Sequence, residues 1–169
     1  LLCPVHLVSV PAGERYKSLT TIGSLCSQFA GHGMDRRSLV VSLGGGVLGD
    51  VCGFAAASFM RGIAFTQVPT TLLAQVDASV GGKTGVDLPE GKNLVGAFHQ
   101  PQSVLIDMCT LSSLPIREVR SGLAEIIKYG IIWQPEILDL LEGKSIRSIA
   151  HDPSLLGAII KSSCEIKAE

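Results

Sequence analysis

The segment that most narrows what this chain can become is Gly44-Gly45-Gly46-Val47-Leu48-Gly49. It fits the pattern G-x-G-x-x-G. Residues 38–43 before it, Ser-Leu-Val-Val-Ser-Leu, have the length and β-branched content of a buried strand. Residues 47–60 after it form a run of small residues around Ala55-Ala56-Ala57, suited to a helix packed closely on a sheet. Strand, glycine turn and helix in this order point to an α/β fold. Without Cβ atoms the backbone can approach a phosphate, and the free N–H groups of a helix start point at the anion. Two features depart from an ordinary Rossmann unit. No acidic residue stands about twenty positions on to hold a ribose hydroxyl. Asp50 follows the last glycine directly, where a carboxylate would face a pyrophosphate. The motif alone therefore leaves two readings open, a phosphate cradle and a tight turn without a ligand.

The pattern on either side extends the alternation. An apolar run at residues 7–10 ends at the turn Pro11-Ala12-Gly13. Ser18 is placed to cap a helix over residues 19–30, with Leu19, Ile22, Leu25, Cys26 and Phe29 at helical spacing. Residues 63–68 read as a second strand, broken by Pro69, and Thr70-Thr71 then cap a short helix through about Val76. Residues 81–100 are rich in Gly and Lys with little periodicity and read as a long functional loop with some local helix. Residues 103–107 read as a third strand. Pro115 opens a helix with the stripe Ile116, Val119, Leu123, Ile126 and Ile127, and further helices are expected over 135–141 and 153–168. Residues 1–114 are thus expected to be part of an α/β domain, a Rossmann-like nucleotide-binding one where the glycine turn is a phosphate cradle. Residues 115–169 are expected to begin an all-α domain.

Composition removes several functional classes. Hydrophobic residues make up 46% of the chain and charged residues 17%, enough apolar material for a substantial core. A net charge of −1 gives no electrostatic footprint for nucleic acid or an anionic membrane. Five cysteines, an odd count without Cys-x-x-Cys, read as reduced thiols in a cytosol-like compartment. The apolar runs are interrupted well before they span a bilayer. Residues 1–11 lack the basic start and cleavage site of a targeting peptide, so the N-terminus reads as the middle of a longer chain.

Two groups of polar residues are candidates for chemistry. Asp77, Lys83, Asp87, Lys92 and Asn93 lie in a stretch otherwise made of Gly, Ser, Thr and aliphatic residues. Lysines act as point charges for phosphate or carboxylate, and an Asn offers both donor and acceptor. A solvated surface loop is the plain alternative. Gly82-Lys83-Thr84 is not a phosphate-binding loop, because Asp77 occupies the position where that pattern needs its first glycine. Glu125 and Lys128 share one helix face. That spacing suits a metal-bound carboxylate beside a substrate-binding lysine, or equally a surface ion pair of small energy. His99 and His151 form no metal-ligand grouping.

Taken together, these strings resemble the 3-dehydroquinate synthase family. The resemblance is carried by Gly44–Asp50, Phe54-Ala55-Ala56-Ala57-Ser58, Met60-Arg61-Gly62 and Gln67-Val68-Pro69-Thr70-Thr71-Leu72-Leu73. It continues through residues 76–84, through Gly91-Lys92-Asn93-Leu94-Val95-Gly96-Ala97-Phe98 and through residues 121–130. It implies NAD and a divalent metal, zinc or cobalt, as cofactors. Gly13, Glu14 and Lys17 would contact the adenosine side of NAD. Gly45, Gly46, Val47, Gly49 and Asp50 would cradle its pyrophosphate. Thr70, Thr71, Thr110 and Ser113 would line the nicotinamide half. Asp77, Lys83, Lys92, Asn93, Lys128 and Lys167 would hold substrate, with Lys83 and Lys92 also in reach of NAD. Glu125 would be one of three metal ligands, and Arg61 would enter a partner subunit's site, which implies a homodimer. The implied reaction turns 3-deoxy-D-arabino-heptulosonate 7-phosphate into 3-dehydroquinate and phosphate, in bacterial cytoplasm or plastid stroma. Rival readings are another sugar-phosphate cyclase, of the valiolone or scyllo-inosose type, or a non-catalytic NAD-binding module. Family members carry two histidine metal ligands further downstream, so the 169-residue chain by itself is expected to be inactive.

Overall fold

The computed structural model describes residues 3–168; Leu1, Leu2 and Glu169, at the ends of the two expected domains, lie outside the described residues. Its α/β half begins with helix α1 (Leu19–Gly31). The Ser18 side chain caps it by accepting from the Thr21 N–H, and Ile22, Leu25 and Phe29 are the buried members of the expected stripe. Leu19 is exposed. Strand β1 (Leu39–Gly44) leads through the glycine turn into α2 (Gly46–Ser58), and β2 (Ala64–Pro69) follows. Between α2 and β2 the chain reverses in three consecutive residues of positive φ, Met60 at 50°, Arg61 at 69° and Gly62 at 120°. Strands β1 and β2 pair in parallel, Leu39 with Ala64 through Gly44 with Pro69. β5 (Ser103–Val104) adds a third parallel strand beside β2, giving the order β1-β2-β5.

The segment expected to be a loop is an antiparallel hairpin, β3 (Lys83–Leu88) and β4 (Gly91–Phe98), joined by Pro89 and Glu90. The composition concealed it for a physical reason. Gly85 and Gly96 face each other, and a Cβ on Gly96 would fall 2.0 Å from the Thr84 carbonyl oxygen. These glycines let the two strands approach, where glycine ordinarily signals a turn. Val86 anchors the hairpin in the same core as Val51, Ala55, Ala56 and Phe65.

The third strand is also shorter than residues 103–107, because its ladder to β2 ends after Val104. A 3₁₀ segment (Met108–Ser113) leads to α3 (Ile116–Ile132), in which Pro115 is the N-cap. α4 (Glu136–Leu141), α5 (Ile146–Ala150) and α6 (Pro153–Ala168) complete the helical half. α5 carries too few residues to announce itself by periodicity. A second core joins Val119, Leu123 and Ile126 of α3 to Ile137, Ile149, Leu156 and Ile159, with Leu72, Val76 and Leu111 contributed from before α3. The helix capped by Thr71, whose Oγ1 accepts from the Ala74 N–H, continues past Val76 as a π-helical turn, Ala74–Ala78. That turn lies where the two cores meet. It presents Val76 to the helical core, while a Cβ on Gly46 would touch Ala78 at 3.1 Å.

Candidate active site

The N-terminus of α2 starts at a bare glycine cap. Gly45 makes no side-chain capping bond, and no acidic residue occupies the first turn. The first N–H groups of a helix lack intrahelical partners and carry a partial positive charge. The Thr70 N–H donates to the Gly44 carbonyl at 2.9 Å. Thr71 lies so close that a Cβ on Gly45 would sit 3.1 Å from its methyl group. Glycine turn and Thr70-Thr71 therefore form one continuous surface. With no Cβ to fill it and unpaired donors beneath it, this surface fits the pyrophosphate of a dinucleotide.

Next to it opens a cleft of about 480 Å³, to which Asp50, Asp77, Lys83, Asn93 and Lys167 all contribute. The residues singled out in the sequence from five separate elements thus meet in one place. Sequence reasoning missed the backbone floor and rim supplied by Gly85, Gly96, Leu94 and Phe98, because they belong to the hairpin read as a loop.

Two carboxylates in the cleft are held differently. Asp77 accepts from Lys167 of α6 and, at 3.0 Å, from the Tyr129 hydroxyl of α3. Burial pushes the Asp77 carboxyl up, but the bonds from Lys167 and Tyr129 outweigh it and hold it below the usual carboxylate range. Both donors meet Oδ1, which leaves Oδ2 available as an acceptor. Burial, reinforced by the Asp77 charge, keeps the Tyr129 phenol protonated and hence a donor. Sequence reasoning missed Tyr129, yet it lies three residues after Ile126 on the apolar stripe, where a buried tyrosine needs a partner for its hydroxyl. Tyr129→Phe is expected to cost roughly 1.5–3 kcal/mol of stability, as for a hydrogen bond to a charged group. Asp77's folded pKa lies below its unfolded value, so its stabilisation is present above the unfolded pKa and lost as pH falls through the folded one. Without Tyr129 the folded pKa rises toward the unfolded one, so that loss is smaller and is complete at a higher pH. Thermal unfolding from neutral to acidic pH checks both; identical wild-type and variant curves would contradict the assignment.

Asp50 is paired at 2.6 Å with Lys17, whose side chain is 7% exposed. Here desolvation dominates, and the Asp50 carboxyl sits above its ordinary value despite the lysine. Lys17 also donates to Asn93 Oδ1, while its carbonyl accepts from the Asp87 N–H at 2.9 Å. Asp87 in turn accepts from the Asn93 N–H at 2.8 Å, and Asn93 adopts φ 58°. Lys17 therefore ties α2 to the hairpin. Lys92 points outward to Glu14 at 2.8 Å, with both side chains exposed. Gly13 precedes Glu14 in a left-handed conformation, φ 120°. Val47 and Gly49 lie in the first turns of α2.

Thr110 sits in the 3₁₀ segment and reaches the site region through Gln75, which donates to its hydroxyl at 3.2 Å. Ser113 ends that segment and is exposed. Glu125 and Lys128 form an ion pair on α3. Lys128 lies near enough to Asp77 to help hold its carboxyl down. Among the described residues no group of three or more His, Cys, Asp or Glu side chains converges. Glu125 thus supplies one donor, whereas stable divalent sites use about three or four. Arg61 stands exposed on the turn after α2 and does not line the cleft.

Comparison with known proteins identifies the family. Residues 7–121 match the model of the 3-dehydroquinate synthase N-terminal domain, and residues 122–169 that of the C-terminal domain. A 3-dehydroquinate synthase of Symbiobacterium thermophilum is 56% identical over 162 residues, 96% of this chain and 45% of that protein. Among solved structures, 2-epi-5-epi-valiolone synthase from Streptomyces hygroscopicus, with NAD⁺ and Zn²⁺ bound, superposes with a TM-score of 0.90 at 34% identity, covering 95% of this chain and 46% of that one. A 2-deoxy-scyllo-inosose synthase complexed with carbaglucose-6-phosphate, NAD⁺ and Co²⁺ gives 0.87 at 35% identity, covering 99% and 46%. The chain spans about half the length of the relatives it matches. With both family models meeting end to end across residues 7–169, it belongs to the 3-dehydroquinate synthase family.

Proposed function

We propose that the full-length protein is a 3-dehydroquinate synthase, converting 3-deoxy-D-arabino-heptulosonate 7-phosphate into 3-dehydroquinate and phosphate in the shikimate pathway. The observation that carries this reading is the joining of a bare glycine-turn helix start to a cleft lined by Asp77, Lys83, Asn93 and Lys167. Bound NAD supplies reversible hydride transfer at one alcohol carbon, which acidifies the neighbouring C–H for loss of phosphate. Lys83 and Lys167 place positive charge where phosphate and enolate charge develop. Asn93 gives its oxygen to Lys17 and so turns its NH₂ donors to substrate hydroxyls. Asp77 offers Oδ2 to a further hydroxyl. Lys128 and Lys92 are proposed as additional substrate contacts, with Lys83 and Lys92 also reaching NAD. Gly13, Glu14 and Lys17 are assigned to its adenosine side, and Gly45, Gly46, Val47, Gly49 and Asp50 to the pyrophosphate. Thr70, Thr71, Thr110 and Ser113 are assigned to the nicotinamide half. Glu125 is proposed as one ligand of a divalent metal, zinc or cobalt. Arg61, displayed on its left-handed turn, is proposed to enter the partner subunit's site in a homodimer. No described helix is long and apolar enough to cross a membrane, which accords with a cytoplasmic enzyme.

The resemblance to valiolone and scyllo-inosose synthases supports a second reading, a sugar-phosphate cyclase of other specificity. Incubating the full-length protein with NAD, divalent metal and one of three substrates separates them: the heptulosonate phosphate, sedoheptulose 7-phosphate or glucose 6-phosphate. Phosphate release and a carbocyclic product are expected from the first alone. Turnover of either other substrate would select the rival, and NAD binding without any turnover would indicate a binding module.

A further inference from the structure

We infer that Gln75 is a positioning residue, a wedge that holds open the crevice between β2 and the segment following β5 and so places Thr110 opposite Thr70-Thr71. The inference rests on the assignment of those threonines to the NAD site.

Gln75 is wholly buried in the π-helical turn, with Leu72 and Val76 of the helical core close by in sequence. A buried amide is costly unless its polar atoms are paired, so an aliphatic residue would be the ordinary occupant. Its Nε2 has three acceptors in reach, the Pro69 carbonyl at 3.1 Å, the Asp107 carbonyl at 3.2 Å and the Thr110 hydroxyl oxygen at 3.2 Å, while Oε1 is buried without a partner among the described residues. The Thr110 proton is given to the Asp107 carbonyl at 2.6 Å, so the threonine accepts from Gln75 and the amide is oriented with nitrogen toward it.

These acceptors stand where a sheet ladder would otherwise run. β2 and β5 pair only at Thr66 with Ser103 and Gln67 with Val104, and the Leu105 N–H makes the last bond, to Gln67, at 2.8 Å. The sequence pattern would carry the strand on to Asp107. Gln75 takes up the carbonyls of Pro69 and Asp107 from between the two segments, so beyond Leu105 they are separated by a side chain. In open α/β sheets ligands bind in crevices at the carboxyl ends of the strands. One wall here is Pro69-Thr70-Thr71, fixed to the glycine turn, and the other carries Thr110. The Cys164 thiol of α6 donates to the Gln75 carbonyl at 3.4 Å and fixes the wedge from behind.

The test uses the full-length protein with Gln75→Met, which keeps length and removes the donors, and Gln75→Glu, which keeps length and replaces donors by acceptors. Both are expected to weaken NAD binding about tenfold or more, the equivalent of one lost net hydrogen bond. KM for NAD should rise, with much of kcat recovered at saturating NAD. A merely structural role would lower melting temperature and the active fraction while leaving KM for NAD unchanged, and that result in folded variants would overturn the inference. Should neither variant fold, Gln75→Asn keeps the amide but shortens its reach by one methylene: weakened NAD binding supports the wedge, and unchanged binding overturns it. Failure of the wild-type protein to bind NAD would overturn both this inference and the assigned function. Normal wild-type binding with unaffected variants overturns this inference only.

Discussion

Lys17→Met in the full-length protein is expected to lower stability by roughly 2–3 kcal/mol at neutral pH, because it strands the Asp50 carboxylate without its counter-charge. Removing one partner of a deeply buried ion pair costs more. The figure is placed lower because the Asp50 side chain retains 20% exposure and water can reach it. The deficit should depend on pH with a defined sign. Asp50's folded pKa is already above its ordinary value through desolvation, and Lys17 is what pulls it back. A carboxyl whose folded pKa is raised binds more protons in the folded state, so stability falls as pH rises between the unfolded and folded values. Deleting Lys17 widens that window upward. The variant should therefore regain part of its lost stability on acidification through the carboxylate range, more than the wild type does. Asp50→Asn in the Lys17→Met background should restore part of the stability at neutral pH and flatten the pH dependence. Denaturant unfolding across pH measures all of this. A single variant within about 0.5 kcal/mol of wild type would show that the pair is not a buried one. Activity should fall alongside, because the Lys17 ammonium also holds the Asn93 side chain in the cleft.

What the sequence revealed and concealed follows from which signals are local. The Ser18 cap, the stripe of α1, the strand–turn–helix around Gly44–Gly49 and the bounds of α6 all rest on interactions within a few residues, and all were readable. The hairpin was not, since the need for Gly85 and Gly96 arises from a strand that lies opposite only after folding. The early end of β5 was hidden for a similar reason, because it is enforced by the side chain of Gln75, about thirty residues away in sequence. Within the site, the residue types were visible but their pairings were not. Asp50 after the last glycine looked misplaced for a phosphate neighbour, and its partner Lys17 explains how that carboxylate is neutralised. Tyr129 was given no role, although its hydroxyl supplies the second donor to Asp77.

Gly46→Val is expected to weaken NAD binding and lower kcat/KM by about 10²-fold, the scale of effect that a displacement of about 1 Å at a positioned site produces. Gly46 is the first residue of α2, and a Cβ placed on it would already sit 3.1 Å from the Ala78 methyl group. Ala78 is held in the π-helical turn and also lines the cleft, so it has little freedom to yield. Valine would therefore shift the helix start away from that turn and add two methyl groups over N–H donors that the assigned pyrophosphate requires. Gly46→Ala, with one methyl against one methyl, should fall between wild type and Gly46→Val. The comparison is informative because both changes keep every charged side chain of the cleft: Asp50, Asp77, Lys83 and Lys167 all remain. If binding strength lay mainly in those charges, both variants would take up NAD almost as wild type does. Calorimetric titration of NAD into the three proteins, with melting temperatures in parallel to correct for unfolded material, decides between a cradle made of backbone and one made of charge.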